Sequence, residues 1–145
     1  MAFLPKKKKK ILMVVDSKTD LESAEFLFQD KYIFLPTRSG KEAFNYLLRN
    51  TGVDLILLDL TIPGPDRTET IVRIKDIGLI SNVPVVFLIS ARKADEQNHG
   101  IEKDTVDFLY KPYTGKELSS RVKSILKNPF RKKKPGNRIQ RAVNY

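Results

Sequence analysis

Four polar residues stand at the ends of four apolar runs in this chain, and their types together are suited to handling phosphate: Asp16, Asp59, Ser90 and Lys111. Asp16 follows Ile11-Leu12-Met13-Val14-Val15, Asp59 stands at the end of Val53-Asp54-Leu55-Ile56-Leu57-Leu58-Asp59-Leu60, Ser90 follows Val85-Val86-Phe87-Leu88-Ile89, and Lys111 follows Val106-Asp107-Phe108-Leu109-Tyr110. Apolar runs of that length suit strands buried on both faces of a parallel sheet. All strands of such a sheet point one way and ligands bind outside their carboxyl ends, so the four side chains are expected along one edge. Two carboxylates there would draw in a hard divalent cation such as Mg2+. A hydroxyl and an ammonium beside it suit a transferred phosphoryl group, Ser90 donating to one oxygen and Lys111 neutralising another. Asp59 is then a candidate nucleophile for an aspartyl phosphate. Plainer roles compete: Asp16, Asp59 and Ser90 as caps or turn residues, and Lys111 as a solvated surface lysine.

The intervening segments supply the helices that such a sheet needs. Ser17 and Asp20 offer N-cap chemistry, and Leu21, Ala24, Leu27 and Phe28 recur at helical spacing to about Gln29. Tyr32-Ile33-Phe34-Leu35 predicts a short strand closed by Pro36, and Ser39-Gly40 opens a helix with Ala43, Phe44, Leu47 and Leu48 on one face. After a turn at Pro63-Gly64-Pro65-Asp66, the residues Ile71, Ile74, Ile77 and Gly78 trace a helix and its stop. The polar segment Arg92 to Asp104 reads as a short or irregular helix. Leu118, Val122, Ile125 and Leu126 mark a last amphipathic helix ended by Asn128-Pro129. Five strands alternating with five helices predict an α/β fold with a parallel sheet.

Composition narrows the function classes. The 145 residues suit one domain, and with no Cys there is neither a disulfide framework nor a thiolate metal site. No apolar run reaches membrane-spanning length, and Met1 to Pro5 lacks the apolar core of a secretory signal, so a soluble cytoplasmic protein is expected. The formal net charge is +10, but 11 of the 27 basic residues and none of the 17 acidic ones lie in the two ends, which leaves the segment between at −1. The expected organisation is a basic, mostly disordered tail over residues 1–10, a folded unit over 11–128 and a second basic tail over 129–145. Lys6 to Lys10 and Arg131 to Lys134 have the charge to contact nucleic-acid phosphates in a salt-dependent way. They lack interleaved aromatic residues for stacking, and a solubilising tail or linker is the plainer reading. An unrelated small enzyme is poorly supported: His99 is the single His, and no Gly-rich phosphate loop follows the first strand.

Four stretches together carry a family resemblance: Ile11 to Asp16, Asp54 to Pro63, Pro84 to Ala91, and Tyr110-Lys111-Pro112-Tyr113. From Ile11 to about Lys127 the chain resembles the receiver domain of bacterial two-component response regulators, with the fold of the chemotaxis response regulator. The resemblance implies a doubly wound, five-stranded parallel sheet, a flavodoxin-like (βα)5 receiver fold. It implies that Asp59 accepts a phosphoryl group from a histidine kinase or phosphotransfer protein, so the chain acts as a signalling switch and not as an enzyme. It also implies Mg2+ held by Asp16, Asp59 and the backbone carbonyl of Thr61. Ser90 matches the family's switch hydroxyl, Lys111 its lysine, Lys111-Pro112 its cis peptide, and Phe108 the aromatic that changes rotamer on activation. Output is then expected at a downstream protein, through the last helix, the last strand and the helix before it.

Four departures from the family pattern bear on this. Val15 stands where a second acid usually does, which should weaken Mg2+ binding and leaves open a pseudo-receiver, a binding module that works without phosphorylation. Arg67 replaces a Gly and either contacts the phosphoryl group or stiffens its loop. Asp104-Thr105 replaces Gly-Ala. Phe108 has no phenolic hydroxyl, so its switching would act through packing alone.

Overall fold

Leu55–Asp59 forms a strand in which every residue is buried, and this central strand, β3, is flanked on both sides by others of the same kind. The computed structural model describes residues 7–62, 67–90 and 107–129. Within them the order is β1 (Lys10–Val14), α1 (Lys18–Phe28), β2 (Ile33–Thr37), α2 (Gly40–Arg49), β3, α3 (Arg67–Ile80), β4 (Val85–Ser90), β5 (Asp107–Lys111) and α4 (Gly115–Lys127). All five strands are parallel, in the order β2-β1-β3-β4-β5. The expected turn at 63–66, the expected helix over 92–104 and most of both tails lie outside the described residues.

Side chains alternate across the strands and so make two cores, one on each face of the sheet. Leu12, Val14, Ile56, Leu58, Phe87 and Phe108 pack with Ala43 of α2 and with Ile71 and Ile74 of α3. Ile11, Met13, Leu57, Leu88 and Leu109 pack with Ala24 and Phe28 of α1 and with Leu118, Val122 and Ile125 of α4. The chain is therefore doubly wound, and β1 and β3 flank the point where the strand order reverses.

Local signals set the helix starts. Ser17 accepts a hydrogen bond from the Asp20 N–H, Ser39 accepts one from the Glu42 N–H, and Thr114 forms a reciprocal capping box with Glu117. Two sequence expectations are corrected. Pro36 does not close β2; it lies inside it, abreast of Met13. That is tolerated because β2 is an edge strand and a missing N–H on its outer side costs no ladder bond. Gly78 does not stop α3, which runs two residues further. A Cβ at position 78 would lie 2.6 Å from Val85 Cγ2 and 2.9 Å from the Val83 carbonyl, so the glycine is there to let the chain pass close by. The stop is Asn82, with φ 61, and the Val83 N–H closes back on the Gly78 carbonyl at 2.7 Å as a Schellman end requires.

Strand limits move by a residue. β1 begins at Lys10 and leaves Val15 just beyond it, while β4 and β5 extend to include Ser90 and Lys111. The middle of the last helix is tied to the start of β5 by a pair with no sequence signal: Arg121 of α4 bonds the carboxylate of Asp107 and, at 3.1 Å, donates to the Phe108 carbonyl.

Candidate functional site

The carboxyl ends of β1, β3, β4 and β5 meet at one edge of the sheet, and Asp59 lies at its centre, 1% exposed. A buried carboxylate needs partners, and among the described residues this one has three bonds. Its Oδ1 accepts from the Thr61 N–H at 2.8 Å and from the Thr61 hydroxyl at 2.6 Å. Its Oδ2 takes the Lys111 ammonium, a contact of two full charges. Lys111 is also 4.0 Å from Asp20 Oδ2, so the ammonium sits between two carboxylates. The Lys111–Pro112 peptide is cis.

Register decides the rest. Ser90 pairs with Lys111 across β4 and β5, and Asp59 pairs with Leu88, so Asp59, Ser90 and Lys111 share the face that carries α1 and α4. Phe108 does not join them. Three residues before Lys111, it faces the opposite core, 2% exposed and edge-on to Tyr110 with ring centres 5.2 Å apart. Val14 pairs with Leu58, which sets Val15 abreast of Asp59; it is 1% exposed and packed in the apolar core. The acid of this loop is thus Asp16 alone, one residue further on and exposed to solvent.

Among the described residues no group of three or more His, Cys, Asp or Glu side chains comes together as a metal site. Asp16 just past β1 and Asp59 at the end of β3 are carboxylates, a donor type that suits Mg2+, which keeps several waters and needs only one or two carboxylates from a protein.

Tyr113, just past the cis peptide, lines a cleft of about 570 Å3 with Asp20, Leu27 and Lys111. Its phenol is pushed up to about 12 from its ordinary value of 10.0, by burial first and then by the negative charges of Asp20 and Asp59. The folded state therefore favours the neutral phenol. That stabilisation is complete below pH 10 and is lost as pH rises through about 12. Burial also raises Tyr32, so alkaline titration of tyrosinate absorbance should show a late-ionising component, part of which disappears in Tyr113→Phe and moves to lower pH in Asp20→Asn. An unmoved midpoint in the second variant would mean that Asp20 does not act on the phenol.

The family model for the response regulator receiver domain matches residues 11–123. The chain belongs to the response regulator receiver family. This receiver domain is 32% identical over 118 residues to the "Probable cyclic di-GMP phosphodiesterase" of Vibrio cholerae, covering 81% of this chain and 26% of that protein. It is 30% identical over 119 residues to the transcriptional regulatory protein CiaR of Streptococcus pneumoniae, covering 81% and 51%. The structure of the receiver domain of the Francisella response regulator 1452 superposes with a TM-score of 0.68 at 25% identity, over 83% of this chain and 98% of that one. The chain thus spans about half or less of the length of these two curated relatives. Receiver domains are phosphoacceptor modules of two-component signalling, non-catalytic in themselves, that bind Mg2+ at an acidic pocket and engage histidine kinases or phosphotransfer proteins. No helix among the described residues is long and apolar enough to cross a membrane.

Sequence reasoning named Asp59, Lys111, Ser90, Asp16 and the Thr61 carbonyl, but it gave no part in positioning them to the Thr61 side chain, Asp20 or Arg38. Thr61 was expected to offer only its carbonyl, yet its N–H and hydroxyl hold Asp59; a Thr two residues after an Asp is a recognisable turn signal. Asp20 was expected only as a candidate cap for α1. Arg38, whose guanidinium donates to the Asp16 carbonyl from Nη2 at 2.8 Å and from Nε at 3.3 Å, carries no local signal.

Proposed function

We propose that Asp59 is the phosphoacceptor of this receiver, taking its phosphoryl group from the phosphohistidine of a histidine kinase or phosphotransfer protein. The observation that carries this is a carboxylate 1% exposed at the end of β3, oriented by Thr61 and faced by the Lys111 ammonium. One oxygen of Asp59 attacks phosphorus; the P–O bond forms, the P–N bond breaks, and the imidazole leaves with the electron pair and takes up a proton. Thr61 keeps Oδ1 turned away from the attack, which favours Oδ2, the oxygen beside Lys111. As charge builds on the phosphoryl oxygens, the ammonium moves from carboxylate to phosphoryl and the Ser90 hydroxyl donates to a second oxygen. Asp16, Asp59 and the Thr61 carbonyl would hold Mg2+, which when bound screens the repulsion between two anions.

The signal then passes by packing. Drawing Ser90 inward shifts the end of β4, and Phe108, buried on the other face of β5, answers by a change of rotamer. A downstream protein reads the surface of β5 and α4. In this reading residues 11–128 are the working unit, and the basic ends are solubilising or linking segments.

The test is intact mass after incubation with Mg2+ and acetyl phosphate, beside Asp59→Asn. A base-labile phosphoryl adduct on the parent and none on the variant is expected. A folded parent that stays unmodified at high Mg2+ would overturn the proposal and leave a phosphorylation-independent binding module.

A further inference from the structure

The loop that carries Asp16 is held from outside, by the corner between β2 and α2. The Thr37 hydroxyl donates to the Met13 carbonyl at 2.8 Å, and the Val15 N–H donates to the Thr37 carbonyl at 3.1 Å. Arg38 then donates twice to the Asp16 carbonyl, from Nη2 at 2.8 Å and from Nε at 3.3 Å. The first two bonds lie where strand pairing ends. The third grips a carbonyl that faces solvent just before the α1 N-cap, where a loop has no ladder of its own.

We infer that Arg38 is a positioning residue for Asp16, fixing the backbone from which that carboxylate reaches toward the Asp59 site. The inference rests on the reading of Asp16 as a ligand of Mg2+. It matters more here than in a chain with paired acids at the end of β1, because Val15 is buried and apolar and leaves Asp16 as the one carboxylate of its loop. A ligand on an exposed loop binds well only if it is already in place, and partners that orient a ligand are worth about 10- to 100-fold in metal affinity. The guanidinium suits this task because two of its N–H groups converge on one oxygen in a fixed fork, which a lysine ammonium does not reproduce.

Charge and positioning predict opposite signs. Arg38 is a cation near a cation site, so if charge were its whole contribution, removing it would tighten Mg2+ binding. If it positions Asp16, Arg38→Ala weakens Mg2+ binding by about 10-fold, the low end for a solvent-exposed contact. Arg38→Lys, which keeps the charge and loses the fork, also weakens it, by less.

The experiment is calorimetric titration of the full chain with Mg2+ for the parent, Arg38→Ala, Arg38→Lys, Asp16→Asn and the double variant Asp16→Asn/Arg38→Ala. Chemical denaturation of each checks that it is folded. Modification by acetyl phosphate is followed against Mg2+ concentration as a second readout. The expected result is weaker Mg2+ binding in both Arg38 variants, an unchanged modification rate at saturating Mg2+, and no further loss when Arg38→Ala is added to Asp16→Asn. Unchanged or tighter binding in Arg38→Ala, with Asp16→Asn weakened, would overturn the inference while leaving Asp16 as a ligand. Asp16→Asn binding as tightly as the parent would overturn both.

Discussion

Replacing Lys111 by methionine is expected to slow phosphoryl uptake by Asp59 from acetyl phosphate by about 100- to 1000-fold, the usual loss when a charge aimed at a developing oxyanion is removed from a preorganised site. Methionine keeps much of the length and apolar stem of lysine and loses only the ammonium, so the packing of the half-buried stem survives. Arginine is not expected to rescue the rate. Its planar fork is larger than the compact ammonium that fits between Asp59 and Asp20. The same change has a cost in stability. Asp59, 1% exposed, would keep its two bonds from Thr61 but lose its counter-charge, and breaking a buried pair from one side costs about 3–5 kcal/mol. With Thr61 still in place and Lys111 a quarter exposed, the low end applies. Removing both charges in Asp59→Asn/Lys111→Met should restore most of that loss, since a buried pair replaced as a whole is close to neutral. Time-resolved intact mass and urea denaturation read the two effects separately. A parent-like rate in Lys111→Met would remove the ammonium from the chemistry.

Phe28→Ala is expected to cost about 3–5 kcal/mol, the range for deleting a fully buried aromatic side chain. Phe28 is 0% exposed at the last turn of α1. It meets Tyr32 edge-on with ring centres 5.7 Å apart and Phe34 at 6.0 Å, so one ring joins the end of α1 to the turn after it and to edge strand β2. The surrounding backbone cannot collapse into the gap without pulling β2 from β1. Against a typical stability of about 5–15 kcal/mol, such a loss leaves a folded but much weakened protein. Phe28→Leu fills most of the volume and should cost on the order of 1–2 kcal/mol. Urea denaturation midpoints of the parent and the two variants give the comparison, and a Phe28→Leu midpoint equal to the parent's would mean that the aromatic cluster contributes nothing beyond volume.

The four apolar runs that end at Asp16, Asp59, Ser90 and Lys111 were legible because a strand buried on both faces has no solvent side to interrupt it with polar residues. Helix starts were legible for a similar reason: the first N–H groups of a helix need acceptors, and Ser17 and Ser39 supply them from the adjacent sequence. Gly78 was misread because glycine serves equally as a helix stop and as a place of close approach. Only the position of Val85 distinguishes the two. Pro36 was misread for the same kind of reason, since whether a strand tolerates proline depends on whether it lies at an edge.

The sequence by itself determined the strands, their direction and the chemical types at their ends, because burial periodicity and side-chain identity are local properties. That Phe108 and Lys111 face opposite sides became definite only with both of them inside β5, an odd number of residues apart. Tertiary structure alone decided which groups meet. The order β2-β1-β3-β4-β5 brings Lys111 to Asp59 across 52 residues and sets Val15 abreast of Asp59. The same order lays the end of β2 beside the end of β1, so that Arg38 reaches Asp16 across 22 residues. Strand order and register are properties of non-local pairing, and no periodicity within a segment encodes the partner that a side chain will find on another.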